Sequence, residues 1–181
     1  MAFVNYELLS TKYATGSMSE NIRLIKEFDI FHCLLASSPE RVEAVKKRVA
    51  NLPDDFLKWL EICDGGLLFD TIMLTTKSYD ETLDLNFYTY GDFFNAELRQ
   101  SINLSKDWFV FAIAVHDDMY FFDMGKKDGQ VYQWDVEENT IYAYWSTFED
   151  WLSDQIHEAI ELIADELLNP MGIKMEVIDN E

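Results

Sequence analysis

Basic residues are scarce in this chain: 14 Lys and Arg stand against 34 Asp and Glu over 181 residues, a formal net charge of −20. A surface of that sign repels nucleic-acid phosphates and anionic membranes, and it steers basic proteins towards itself. The deficit is uneven. Residues 1–63 carry 9 acids and 8 bases, whereas residues 64–181 carry 25 acids and 6 bases. Cysteine is limited to Cys33 and Cys63, with no CxxC spacing and no cluster of histidines beside either, which leaves a disulfide framework and a zinc site without support. Two thiols of this kind suit a reducing cytoplasm. Only 7 Gly and 3 Pro are present, too few for a low-complexity or wholly disordered chain. No apolar run approaches the ~18 residues of a membrane span, and the opening MAFVNYELLSTKY lacks the basic and long apolar regions of a signal peptide, so a cytoplasmic location is expected. There are three histidines, and GxGxxG, P-loop, GxSxG, HExxH and EF-hand patterns are all missing. A non-enzymatic chain without cofactor or metal is the expectation.

What is present is apolar and aromatic: 49% hydrophobic and 15% aromatic residues supply a core for one domain spanning residues 1–181. The stretch Asp107 to Trp151 reads as four short strands, over 108–115, 119–123, 130–136 and 140–144, separated by acidic or Gly-containing turns. The first of these is apolar almost without interruption, as a strand covered on both faces would be. Tyr132, Trp134 and Val136 alternate onto one face. A further strand is expected over 67–75, an extended arm over 1–16, and a strand or buried turn over 28–35. Helices are signalled over 19–28, from Ser37 to about Ala50, over 54–63 and from Phe148 to about Leu168. Three of them open on a capping-box spacing, Ser17–Glu20, Ser37–Glu40 and Ser146–Glu149. Ile22, Ile25 and Phe28 give the first an apolar face, and Gly65–Gly66 reads as a left-handed stop for the third. Residues 76–106 have no clear period; one short helix over 92–100 and an aromatic surface are expected there. The tail, 169–181, offers a last strand over 173–178 or frays. The pattern predicts an α+β fold with a mostly antiparallel sheet flanked by helices.

Two groups of side chains invite a chemical reading. His116, Asp117, Asp118 and Asp123 combine an imidazole with carboxylates near a strand turn, a set that can ligate a divalent cation or exchange protons. The competing and heavier reading is a polar turn whose Asp residues bond their own backbone. The paired acids Asp54–Asp55 and Glu137–Glu138 have glycosidase-like chemistry, but a helix N-terminus and a solvated turn account for them with less. As surface acids, Asp117, Asp118, Glu137 and Glu138, together with Asp80, Glu81 and Asp84, are the candidates for contact with a protein partner.

Several pieces of the chain together resemble the SUKH superfamily, which includes fungal cell-wall glucan-synthesis regulators and bacterial immunity proteins. They are Leu52-Pro53 with Phe56, Leu60 and Asp64-Gly65-Gly66; Phe111-Ala112; Asp118 to Asp123 (DMYFFD); Gly129 to Asp135 (GQVYQWD); and Phe148 to Leu152 (FEDWL). Their order and spacing fit the family over about residues 38–165, with 1–36 and 169–181 as extensions. Asp64 stands where Asn is common, Phe56 where Tyr is common, and 76–106 aligns with no family motif. The resemblance implies an α+β domain with no catalytic residues to carry over, and a bacterial member that neutralises a toxin by binding it. A small acidic domain suits a basic toxin such as a nuclease. The alternative that the resemblance implies is a regulatory or scaffold module of a cellular assembly such as cell-wall synthesis, and a cation-binding enzyme ranks behind both.

Overall fold

A computed structural model describes residues 17–28, 31–32, 38–69, 71–74, 100, 103–114 and 117–168. These residues form an α+β domain of four helices and a seven-stranded antiparallel open sheet. In chain order they are α1 (Met18–Phe28), β1 (Phe31–His32), α2 (Pro39–Arg48), α3 (Asp54–Ile62), β2 (Gly66–Leu68), β3 (Thr71–Met73), β4 (Trp108–Ile113), β5 (Met119–Asp123), β6 (Val131–Asp135), β7 (Thr140–Trp145) and α4 (Phe148–Leu168). The strands lie side by side in sequence order, β1 to β7, each antiparallel to its neighbour.

The four expected strands of the 107–151 stretch are there, and β4 is buried along nearly its whole length, as its unbroken apolar run predicts. Their pleat sorts the aromatics. Phe56 of α3 meets Phe109, Phe111 and Phe122 of the sheet at ring distances of 5.9, 5.4 and 5.1 Å, and Phe148 of α4 at 5.2 Å. Trp151 of α4 stands edge-on to Phe111 at 4.9 Å and packs on Tyr120 at 5.2 Å. On the other face Trp108 stacks on Phe121 at 4.0 Å, and Phe121 on Tyr132 at 5.5 Å. Tyr132 and Trp134 are both buried and Val136 is half-buried. Truncating Phe56 would forfeit several edge-to-face contacts as well as its burial, about 3–5 kcal/mol.

Several boundaries differ from the sequence reading, each for a local reason. The single strand over 67–75 is a hairpin, β2 and β3, because Phe69 takes a left-handed conformation (φ 53°) and turns the chain between them. The stop after α3 is made by Cys63 in extended geometry, its N–H bonded to the Trp59 carbonyl; Gly65 does take a left-handed φ of 87°, two residues further on, where a Cβ would lie 2.6 Å from the Leu74 carbonyl oxygen. In α2 the N-cap position falls on Ser38, and its hydroxyl donates to Glu40 rather than capping a backbone N–H. In α4 the cap moves to Thr147, whose hydroxyl accepts from the Asp150 N–H at 3.0 Å. Ser17 does accept from the Glu20 N–H, at 3.4 Å, where the spacing expects it.

The buried face of α1 is centred on Met18, Asn21 and Leu24, with Ile22, Ile25 and Phe28 at its half-buried margin. Asn21 explains the shift: it is 1% exposed, accepts from the Ser153 hydroxyl at 3.0 Å and donates to the Glu149 carbonyl at 3.3 Å, so a polar clasp fixes α1 to α4. The arm over 1–16, Ser37, residues 92–99 of the helix expected over 92–100 and the tail strand over 173–178 lie outside the described residues, while Gln100 is helical.

Candidate functional site

In an antiparallel meander alternate turns fall at the same end of the sheet. The β4–β5 turn, with Asp117 and Asp118, and the β6–β7 turn, with Glu137, Glu138 and Asn139, therefore share one end, about two strand spacings or ~10 Å apart. The local chemistry supports both bends. Asp117 (φ 65°) and Asn139 (φ 50°) hold left-handed conformations that short polar side chains tolerate better than most. Asp117 donates its N–H to the Ala114 carbonyl at 3.0 Å, and Ala114 donates to the Asp118 carbonyl at 2.8 Å. Asp118 is held further by Gln133, whose amide donates to its carboxylate at 3.2 Å. Asp135 accepts from the Glu138 N–H at 2.8 Å.

Among the described residues the carboxylates of Asp117, Glu137 and Glu138 take part in no hydrogen bond or ion pair, and all three side chains are exposed. The acids that the sequence singles out from these two turns thus come together. Asp80, Glu81 and Asp84 lie outside the described residues, as does His116.

The grouping of Asp123 with Asp117 and Asp118 does not form. Asp118 precedes β5 and Asp123 closes it, roughly 16 Å away along an extended strand. Asp123 accepts instead from the Gly125 N–H at 3.0 Å and the Lys126 N–H at 3.3 Å, folding the β5–β6 turn. No group of three or more His, Cys, Asp or Glu able to hold a metal ion occurs among the described residues. Of the Asp54–Asp55 pair, Asp55 is likewise structural. Asp55 accepts from its neighbour's N–H, on Phe56, at 2.9 Å and from the Glu149 N–H at 3.1 Å, so one carboxylate serves the first turns of two helices.

Burial pushes the Cys63 thiol up to about 12, away from the reactive thiolate form. At the β5–β6 end, burial raises the Tyr132 hydroxyl, which donates to Asp128 at 2.8 Å, and contact with that hydroxyl raises the Lys126 ammonium, which stands 4.1 Å over the Tyr132 ring. Among the described residues no helix is long and apolar enough to cross a membrane.

Sequence reasoning missed Ile141 and Tyr144 of β7, which are 41% and 66% exposed. The alternation of TIYAYW marks a strand; only the strand order shows that this strand ends the described sheet. It also missed Asn21, whose polar side chain on an apolar helical face was the available signal.

No curated protein and no solved structure matched the chain in comparisons with known proteins. The family model of the SMI1 / KNR4 family (SUKH-1) matches residues 36–154, about two thirds of the sequence and all of the elements from α2 to the first turns of α4. That range holds the Leu-Pro helix start, the Gly-Gly exit and the acidic turns, and the fold is the α+β arrangement that the resemblance implies. The family includes immunity proteins and Smi1/Knr4 regulators, and its members bind proteins such as toxins and are generally non-catalytic. The chain belongs to the SMI1 / KNR4 family (SUKH-1).

Proposed function

We propose that this chain is a cytoplasmic immunity protein that neutralises a cognate basic toxin, a nuclease being the leading class, by binding it directly and without catalysis. The observation that carries the reading is the acidic end of the sheet: Asp117, Glu137 and Glu138 present carboxylates that nothing among the described residues engages. A protein gains nothing in stability from leaving like charges grouped, whereas a basic partner gains both encounter rate and register from them. Asp118, together with Asp80, Glu81 and Asp84, completes the proposed contact set. The absence of Lys and Arg from these two turns is what favours a toxin of high pI over the assembly partners of the family's regulators.

The test is co-expression with the toxin-like gene nearest its own, followed by co-purification at low and high salt. Protection of the cell and a complex that weakens as salt rises are expected. Failure to protect, with no association at low salt, overturns the reading. Recovery of a housekeeping assembly in place of a toxin would put the regulatory alternative in its place.

A further inference from the structure

The sheet ends unevenly. On one side β1 offers two residues; on the other β7 runs for six, Thr140 to Trp145, and among the described residues no strand pairs with its outer side. In an antiparallel strand every second residue turns its N–H and C=O away from its neighbour, so β7 presents a row of backbone groups that no described strand pairs. Natural edges are usually blunted by Lys, Pro or inward charge, and β7 has none of these. Its one irregularity is a bulge, where the register shifts between Gln133 and Trp134 and leaves Tyr142 as the extra residue. The bulge leaves Ala143 to Trp145 as the regular segment, and beside it Tyr144 is two-thirds exposed while Ile141 is exposed on the far side of the bulge.

Charge decides what can occupy this edge. No Lys or Arg occurs between Lys127 and Lys174. Asp135, Glu137 and Glu138 lie at one end of β7, and Asp150 and Asp154 at the other, Asp154 accepting from the Trp145 indole N–H at 3.0 Å. A second copy of the chain pairing with β7 antiparallel would set Glu137 and Glu138 against Asp150 and Asp154; pairing parallel would set them against themselves. Both arrangements oppose like charges on chains already at −20.

We infer that β7 is the docking edge for an extended segment of a basic partner protein, which adds as an eighth strand with Lys or Arg towards the acidic flanks and an apolar side chain against Tyr144. Main-chain hydrogen bonds supply affinity, Tyr144 the anchor, and the acids the choice of partner. This inference rests on the reading of the chain as a binder of a basic protein and names the surface it uses.

The test uses the full chain, labelled for backbone amide exchange, with an octapeptide of alternating lysine and isoleucine, and the matching glutamate–isoleucine peptide as control. The lysine peptide should slow exchange of alternate amides within Thr140–Trp145 by roughly tenfold or more, and the glutamate peptide should not. Ala143→Pro should abolish the effect; because proline can also break β6–β7 pairing, Tyr144→Lys, at an exposed position, should weaken it with the fold retained. Unchanged β7 exchange, equal protection by both peptides, or self-association through β7 overturns the inference. A cognate toxin that is neutralised equally by the Tyr144→Lys protein overturns it while leaving the immunity reading intact. Protection of β7 by the lysine peptide with no toxin neutralised does the reverse.

Discussion

The two ends of the sheet are both rich in acid, and they use it in opposite ways. At the end holding the β5–β6 turn and the starts of α3 and α4, three carboxylates are occupied by the fold: Asp55 accepts from first-turn N–H groups of two helices, Asp123 folds a turn, and Asp128 accepts from the Gln130 N–H at 3.0 Å and from the Tyr132 hydroxyl. Lys126 and Lys127 stand among them. At the opposite end Asp118 and Asp135 have partners, while Asp117, Glu137 and Glu138 have none among the described residues, and the two turns carry no Lys or Arg. The acids named at the two ends are therefore two populations. One holds the fold together by satisfying backbone N–H groups; the other is available to something outside the chain.

The largest effect that would test this division is at Asp55. Asp55→Ala removes the acceptor for N–H groups of two helices that meet over the aromatic core, and it should cost about 2 kcal/mol, read as a drop in the chemical-denaturation midpoint at constant slope. Glu149 sits 94 residues away in sequence, so the loss should loosen α4 as well as α3 and appear as faster amide exchange in both first turns. Asp123→Ala should cost about 1 kcal/mol, since it frees the Gly125 and Lys126 N–H groups in a turn that water already reaches. Two neutral results would erase the difference between the ends.

Strands β4 to β7, the four helices and the two acidic turns were legible in the sequence because each rests on local information: alternation, apolar stripes and turn residues. The Ser17–Glu20 cap and the unbroken apolar run of β4 appear where they are expected. What was not legible depends on distant partners. Nothing near Asp55 announces the Glu149 N–H, and nothing in HDD or FFD places Asp118 and Asp123 at opposite ends of one strand until the strand itself is drawn. Phe69 hid the β2–β3 hairpin, because a bulky residue is an unexpected choice for a left-handed turn position and Leu67-Leu68 and Ile72-Met73-Leu74 make the stretch read as one apolar strand. The place of β7 at the edge of the described sheet follows from strand order, a global property to which each segment contributes only indirectly.

The smallest stability effect should come from the unoccupied acids, and it carries the functional half of the comparison. A combined Glu137→Gln and Glu138→Gln variant removes two charges and leaves side chains of the same shape in an exposed turn, so stability should stay within about 0.5 kcal/mol of the parent. Asp117→Gly extends the same logic: glycine accepts the φ of 65° without strain, so the turn survives and only the carboxylate is lost. Binding should respond where stability does not. With a basic partner, removal of rim charge slows association by up to an order of magnitude at low salt, leaves dissociation nearly unchanged, and flattens the dependence of the on-rate on ionic strength. Stopped-flow association over a salt series reads all three. An on-rate that ignores these substitutions, or one that falls equally when Asp128 at the opposite end is changed to Asn, would mean that the charge acts as a uniform cloud and that the two ends do not differ in function.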